Sequence, residues 1–164
     1  MCALINVWRL SARPINSKNP FKGEVPEFYR YSNERDLIKQ TENAINKLLQ
    51  RGFDAKDIVV LSSRGRQRSQ LLALETIGQY RLQHFTGKYT MDGDPIWNEG
   101  EILVDSIYRF KGRSAAAVII SELDFSELTL MEKRKLFVGI TRAQMSLSFV
   151  LTKQAEAVLA AQIA

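Results

Sequence analysis

Strand-like and helix-like patterns of apolar residues alternate along the chain from residue 27 to its end. Helical spacing, with apolar positions three and four residues apart, predicts helices after Asn33, near 130–143 and from Lys153 onward. Short apolar or alternating runs predict strands at 27–32, 57–63, 80–85, 101–107, 115–123 and 145–152. This alternation is typical of a three-layer α/β fold with a mostly parallel sheet.

Capping residues and breakers set the expected ends of these elements. Asn33 is a helix N-cap residue, Gly52 suits the left-handed position just after a helix, and Thr129 with Glu132 forms a capping box. Residues 64–78 predict a loop leading into a helix, and the polar run 86–100 predicts a loop. Residues 1–26, which are interrupted by prolines and a glycine, predict an irregular arm or linker.

Composition limits the class of protein. The chain has 164 residues, which suits one domain, and its single cysteine excludes an internal disulfide. No apolar run approaches the ~20 residues of a membrane span, and we expect a cytoplasmic protein. The net charge of +5 favours nucleic acid or another polyanion as a partner. The alternative is a basic protein without such a partner.

The chain lacks a recognisable phosphate-binding P-loop. Its one Gly-Lys pair in a turn-like setting, Gly87-Lys88, is followed by Tyr89, whereas the P-loop motif requires serine or threonine there. Glu122 and Asp124 end an apolar strand, as magnesium ligands do in P-loop enzymes. Without a P-loop, they are interpreted as ordinary residues at a strand exit, and we predict no metal site.

The segment LFVGITRA at 136–143 carries the strongest chemical signal. Gly139 costs ~1 kcal/mol inside a helix, which indicates close packing at this position. We expect Arg142 in the last helical turn, where its guanidinium suits a phosphate across an interface. The alternative is that Arg142 only caps the negative end of the helix.

This segment resembles the last conserved motif of superfamily 1 DNA helicases of the UvrD-like group, which has the form LxYVAxTRA. The matching positions are Val138, Gly139, Thr141, Arg142 and Ala143. The resemblance implies that Arg142 is a catalytic arginine finger directed at the γ-phosphate of ATP.

The segment SIYRFKGRS at 106–114 resembles the preceding motif of the same family, T-x-H-x-x-K-G-L-E. Lys111 and Gly112 match it, which implies ATP-binding roles, and Ser106 stands at the threonine position. Tyr108 replaces the histidine, and Ser114 replaces the glutamate. The resemblance implies that Ser106 and Tyr108 contact DNA.

The segment IVVLSSRGRQRS at 58–69 resembles a strand and loop that contact single-stranded DNA in this family, which implies DNA-binding roles for Ser63 and Arg64. Three arginines within five residues would repel the positive end of the predicted helix unless an anion lies nearby. The alternative is a solvated basic turn.

The resemblance implies that residues 27–164 are the second RecA-like (P-loop NTPase-like) motor domain of a DNA helicase. Its partners would be single-stranded DNA and a first motor domain, absent here, that carries the P-loop and binds ATP and Mg²⁺. By itself, this chain would be inactive. The alternative is a free-standing, non-catalytic nucleic-acid-binding module, which the residues at 108 and 114 favour. A metal-dependent nuclease fits poorly.

Overall fold

The computed structural model describes residues 25–163, and the predicted arm at 1–26 lies almost wholly outside them. Three helices are present in these residues: α1 (Glu34–Gln50), α2 (Leu130–Ile140) and α3 (Lys153–Ile163). The strands are β1 (Glu27–Tyr31), β2 (Ile58–Ser62), β3 (Thr76–Ile77), β4 (Tyr80–Gln83), β5 (Phe85–Tyr89), β6 (Pro95–Trp97), β7 (Ile102–Ser106), β8 (Ala115–Leu123) and β9 (Ala143–Thr152).

Seven strands form the main sheet in the order β1-β9-β8-β2-β7-β4-β3. All neighbours pair in parallel except β3 and β4, which are antiparallel. The central strand β2 is flanked by β8 and β7, so the carboxyl ends of these three strands lie side by side. The expectation of a mostly parallel α/β sheet is therefore confirmed.

Helices cover both faces of this sheet, which gives the predicted three layers. One apolar core joins α1 to Val60, Val104 and Ile119. The other joins α2 and α3 to Leu61, Leu103 and other residues that point to the opposite face. The alternation of side chains along each strand thus supplies both cores.

The ends of α1 follow the predicted caps. The Asn33 side chain accepts a hydrogen bond from the Asp36 backbone N–H at 3.0 Å. At the other end, Gly52 has φ +91°, and the N–H groups of Gly52 and Phe53 donate to the carbonyls of Leu49 and Leu48. These two bonds form a Schellman motif, which satisfies carbonyls that the helix leaves free.

The close packing expected at Gly139 is also present. A Cβ at this position would lie 2.8 Å from the Cδ1 atom of Ile120 on the sheet. The missing side chain therefore lets α2 approach β8, and this approach offsets the low helix propensity of glycine.

The prediction of a helix within residues 64–78 is wrong. Beyond a loop, the chain forms one 3₁₀ turn, Leu71–Ala73, and then the short strand Thr76–Ile77. The N–H of Gln70 donates instead to a carboxylate oxygen of Glu122 at 2.7 Å, so tertiary contacts take groups that a helix would use. The arginines at 64, 66 and 68 consequently do not stand at a helix N-terminus, and the repulsion argument for an anion fails.

Two other boundaries differ from expectation. Residues 86–100 were predicted to be a loop, but β5 and β6 form an antiparallel hairpin there. Its apolar residues are spaced too irregularly to mark strands in the sequence. Helix α2 ends at Ile140 rather than near 143. Among the helices at 34–50, 130–140 and 153–163, none combines the length and apolarity needed to cross a membrane.

Candidate nucleotide and nucleic-acid sites

The predicted site residues divide between the two edges of the sheet. Ser63 and Ser106 lie at the carboxyl ends of β2 and β7, where Ser62 and Ser106 are paired in register. Arg142 precedes β9, and its carbonyl accepts from the N–H of Ala115 at the start of β8. Because these strands are parallel, the predicted DNA-binding serines and the predicted arginine finger lie at opposite edges.

The connection between β7 and β8 runs from one edge to the other. It leaves the carboxyl edge at Ser106, carries the exposed Tyr108, and reaches the amino edge at Ser114. Lys111 and Gly112 lie in its second half, and both are exposed. Lys111 and Gly112, the residues predicted to bind ATP, therefore lie on the part of this connection that leads to Arg142 at the amino edge. Ser106 lies at the carboxyl edge, as Ser63 does.

At the amino edge, Arg142 lies just beyond α2 rather than in its last turn as predicted. Its Nε donates to the carbonyl of Val138 at 3.0 Å, and its Nη1 donates to the carbonyl of Arg113 at 3.2 Å. Its Nη2 donates to the hydroxyl of Thr141 at 2.9 Å. The guanidinium thus joins the end of α2 to the loop at 113, and each terminal nitrogen keeps a second N–H.

Gly112 gives this loop its shape. Its φ of +87° lies in the left-handed region, which residues with a Cβ rarely adopt. The turn is closed by hydrogen bonds from the N–H groups of Lys111 and Arg113 to the carbonyls of Tyr108 and Phe110, at 3.3 and 3.1 Å. The turn at this glycine leads directly to the Arg113 carbonyl, which accepts from Arg142 Nη1 at 3.2 Å.

At the carboxyl edge, a cleft of about 340 Å³ opens between the ends of β2 and β8. The first cleft, as we call it, is lined by Ser63, Arg64, Arg68, Glu122, Asp124, Phe125, Glu132 and Lys135. Arg64 forms an ion pair with Asp124 at 3.3 Å. The Ser63 hydroxyl donates to the carbonyl of Glu122 at 2.7 Å, so it offers lone pairs, and no free proton, to a ligand.

Glu122 is not the ordinary strand-exit residue that the sequence indicated. It lies inside β8, is fully buried and has φ +62°. Its carboxylate accepts from the Ser62 hydroxyl and, at 2.7 Å, from the Gln70 N–H. This buried acid therefore anchors the loop that carries Arg64, a role that a lone glutamate in an apolar run does not reveal.

A second cleft of about 330 Å³ lies beside the end of β7 and under the β5–β6 hairpin. Its lining residues are Arg66, Gln67, Ser69, Leu72, Ala73, His84, Phe85, Thr86, Asp105 and Arg109. The Cζ atoms of Arg109 and Arg66 lie 3.3 and 5.1 Å from the ring centroid of Phe85. The sequence singled out the arginines near 66, but nothing marked Asp105 or Arg109.

Asp105 is the acid that lines this second cleft, and it is 3% exposed. Burial raises the pKa of Asp105 above its ordinary value, although the Ser106 N–H and the charges of Arg109, Arg113 and Arg66 act in the opposite direction. Its Oδ1 accepts from the N–H of Ser106 at 2.8 Å. Its Oδ2 lies 3.6 Å from the Nε of Arg109, which is too long for a hydrogen bond.

Within residues 25–163, no three His, Cys, Asp or Glu side chains are grouped so that they could hold a metal ion.

Comparison with solved structures gives the class of this fold. The structure is similar to the C-terminal domain of a possible DNA helicase from Lactobacillus plantarum WCFS1, with a TM-score of 0.63. The two share 15% sequence identity, and the match covers 98% of this chain and 92% of that one. The fold is therefore that of a helicase C-terminal domain, and the expected fold class is confirmed.

A family model matches part of the sequence. Residues 101–150 are similar to the family described as UvrD-like helicase C-terminal domain, which confirms the expected resemblance over these residues. The matched range contains Ser106, Lys111, Gly112 and Arg142. Ser63 and Arg64 precede it in the chain and lie outside the match. No curated protein matches the chain.

Proposed function

We propose that this chain is the second motor domain of an ATP-dependent DNA helicase. The observation that supports the proposal is that the matched range, 101–150, contains candidate residues at both edges of the sheet. It follows β7 to the carboxyl edge at Ser106, and it then reaches the amino edge with Lys111, Gly112 and Arg142. One continuous segment thereby connects a nucleotide site to a nucleic-acid site, as a motor requires.

At the amino edge, ATP and Mg²⁺ are held by the P-loop of a first motor domain, in cis or in trans. Arg142 approaches the γ-phosphate and stabilises the negative charge that develops during phosphoryl transfer. Its bonds to Val138 and Arg113 orient the planar guanidinium, and its remaining N–H groups serve the phosphate. Lys111 and Gly112 form the adjoining nucleotide-side loop.

At the carboxyl edge, single-stranded DNA contacts Ser63, Arg64, Ser106 and Tyr108. Ser63 and Ser106 are only 8% and 9% exposed, so they bind at the floor of the track rather than on its rim. Arg64 provides the positive charge, and Asp124 holds it in place at 3.3 Å. Tyr108 is 54% exposed and offers a ring face on which a base can stack.

The test of this proposal is ATP turnover by the chain alone and in the complete two-domain enzyme. The chain alone turns over no ATP, with or without DNA, and measurable DNA-stimulated turnover by the pure chain would contradict the proposal. In the complete enzyme, Arg142→Ala lowers kcat about 10³-fold, as removal of arginine fingers does. Arg134→Ala, which removes an exposed arginine of α2, is the matched control and leaves kcat unchanged.

A free-standing nucleic-acid-binding module is the second candidate, and the substitutions at Tyr108 and Ser114 favour it. An immunoblot of source-cell extract separates the two. A band far above 18.7 kDa supports the motor domain, and a band at 18.7 kDa supports the module or a P-loop supplied in trans. For the module, Arg142→Ala leaves the affinity for DNA unchanged.

A further inference from the structure

We propose that the second cleft is a nucleotide-reading pocket that accepts one amino-bearing base of the bound strand, with Asp105 as the group that recognises the amine. This inference rests on the proposed binding of single-stranded DNA at the carboxyl edge. The pocket adjoins that track directly, because Asp105 precedes Ser106 and Arg109 follows Tyr108.

Unsatisfied polar atoms in the pocket indicate that it takes a polar ligand. His84 Nδ1, Asp105 Oδ2 and Arg109 Nε are buried without a hydrogen-bond partner, and all three residues line this one cleft. Asp105 and Arg109 face each other as an ion pair at 3.6 Å, a distance too long for a hydrogen bond. Because buried polar atoms are normally hydrogen-bonded, three unbonded atoms in one cleft indicate a polar ligand.

The charges in the pocket require a ligand with both donors and acceptors. Asp105 Oδ2 demands a hydrogen-bond donor, which disfavours a phosphate bound at that point. Arg109 Nε and the guanidinium of Arg66 demand acceptors. Cytosine meets both demands on one edge, since its N4 amine donates and its N3 and O2 atoms accept.

The β5–β6 hairpin orients the arginines of the pocket for binding a base. A guanidinium stacked on a ring uses its flat face, and its N–H groups point outward in the plane. The Cζ atoms of Arg66 and Arg109 lie 5.1 and 3.3 Å from the ring centroid of Phe85. Among residues 25–163, Arg66 forms no ion pair with a carboxylate, so its N–H edge is available to the base and its phosphate.

The volume of the pocket also suits this ligand. About 330 Å³ accommodates a single nucleobase with part of its sugar but excludes a duplex. Acids and histidines do not cluster here in a way that would hold a metal ion, among the residues that the structure describes. A base turned into the pocket from the adjoining track is therefore the best fit.

The test compares the binding of oligo-dC and oligo-dT of equal length to the full chain at neutral pH. These bases are alike in size, but cytosine presents an amine where thymine presents the O4 acceptor. The full chain binds oligo-dC about fivefold more tightly than oligo-dT, as one additional hydrogen bond allows. Asp105→Asn exchanges the acceptor for a donor while keeping the shape, so it reverses the preference.

The control is Asp54→Asn, which makes the same change of charge in the turn before β2 and leaves the preference for oligo-dC intact. Equal binding of the two oligonucleotides by the unaltered chain would overturn the pocket while leaving the DNA track standing. A preference that persists in Asp105→Asn would overturn the role of Asp105. If the chain binds neither oligonucleotide, the proposed DNA binding itself is wrong.

Discussion

Gly112 and Gly100 are required for different physical reasons, and alanine at each position tests them separately. At Gly112, φ is +87° and a Cβ would meet no atom within 4 Å, so only backbone strain opposes a side chain. At Gly100, φ is not positive, but a Cβ would lie 2.3 Å from the backbone nitrogen of Gln83. Gly112→Ala therefore lowers the free energy of unfolding by ~1 kcal/mol, and Gly100→Ala lowers it by ~3 kcal/mol.

Urea unfolding monitored by circular dichroism measures both values. Gly93→Ala is the matched control for Gly112→Ala, because Gly93 combines φ +88° with open space in the exposed tip of the hairpin. If Gly112→Ala and Gly100→Ala lower the free energy of unfolding equally, the backbone strain at Gly112 and the steric contact at Gly100 do not differ in cost as we expect.

Asp105 makes the stability of the fold depend on pH. Burial raises its pKa in the folded chain above the value of about 4 in the unfolded chain, so the folded state binds a proton more readily. Stability from this group is therefore greatest below pH ~4, and it falls as pH rises from there through the raised pKa.

We expect Asp105→Asn to remove this dependence. The free energy of unfolding of the native chain, relative to the variant, should be highest in acid and decline toward neutral pH. Urea titrations at a series of pH values measure the difference. A difference that instead increases with pH would contradict the raised pKa.

At the scale of elements, the loop between β2 and the 3₁₀ turn at 71–73 depends on a single buried acid. Glu122 accepts from the Ser62 hydroxyl and the Gln70 N–H, which hold the two ends of that loop. Glu122→Ala leaves both donors unpaired in the interior and lowers the free energy of unfolding by ~2–4 kcal/mol. Glu122→Gln keeps one acceptor oxygen, so one of the two donors stays paired and the loss is smaller.

Trypsin digestion reports on the loop directly, because Arg64, Arg66 and Arg68 lie within it. In Glu122→Ala, cleavage after these arginines should be faster than in the native chain. Glu127→Ala, which alters an exposed acid just after β8, is the control and leaves the rate unchanged. If cleavage is equally fast in all three proteins, Glu122 does not anchor the loop.

At the scale of the whole molecule, binding to DNA should depend on salt through the arginines of the carboxyl edge. Each phosphate contact with a single strand contributes about 0.7 to the slope of log affinity against log salt. Arg64→Ala should therefore reduce the steepness of that slope by ~0.7. Fluorescence anisotropy with a labelled oligo-dT at several salt concentrations measures it.

Lys39→Ala is the control for that experiment, since it removes an exposed charge from α1 and should leave the slope unchanged. The same slope for the native chain and Arg64→Ala would place the DNA away from the first cleft. If Arg64→Ala and Lys39→Ala reduce the slope equally, the effect comes from net charge in general and not from a DNA track at the carboxyl edge.

The sequence alone determined the elements whose signals are local. Asn33 and Thr129 cap their helices as predicted, since a cap is a contact between residues three apart. The continuous apolar runs at β2 and β8 indicated strands covered on both faces, and Gly139 indicated close packing. The motif segments indicated the resemblance to UvrD-like helicase C-terminal domains for the same reason, because each is a short pattern.

Tertiary structure decided what depends on residues far apart in the chain. The apolar residues near 71–77 fit a helix, but hydrogen bonds to Glu122 hold the preceding loop in another conformation. The hairpin at 85–97 exists because Phe85 and Trp97 pack together, and the sequence does not show that pairing. Asp105 and His84 likewise share a cleft only because the fold brings β7 beside the end of β4. Such contacts join positions that no local pattern relates.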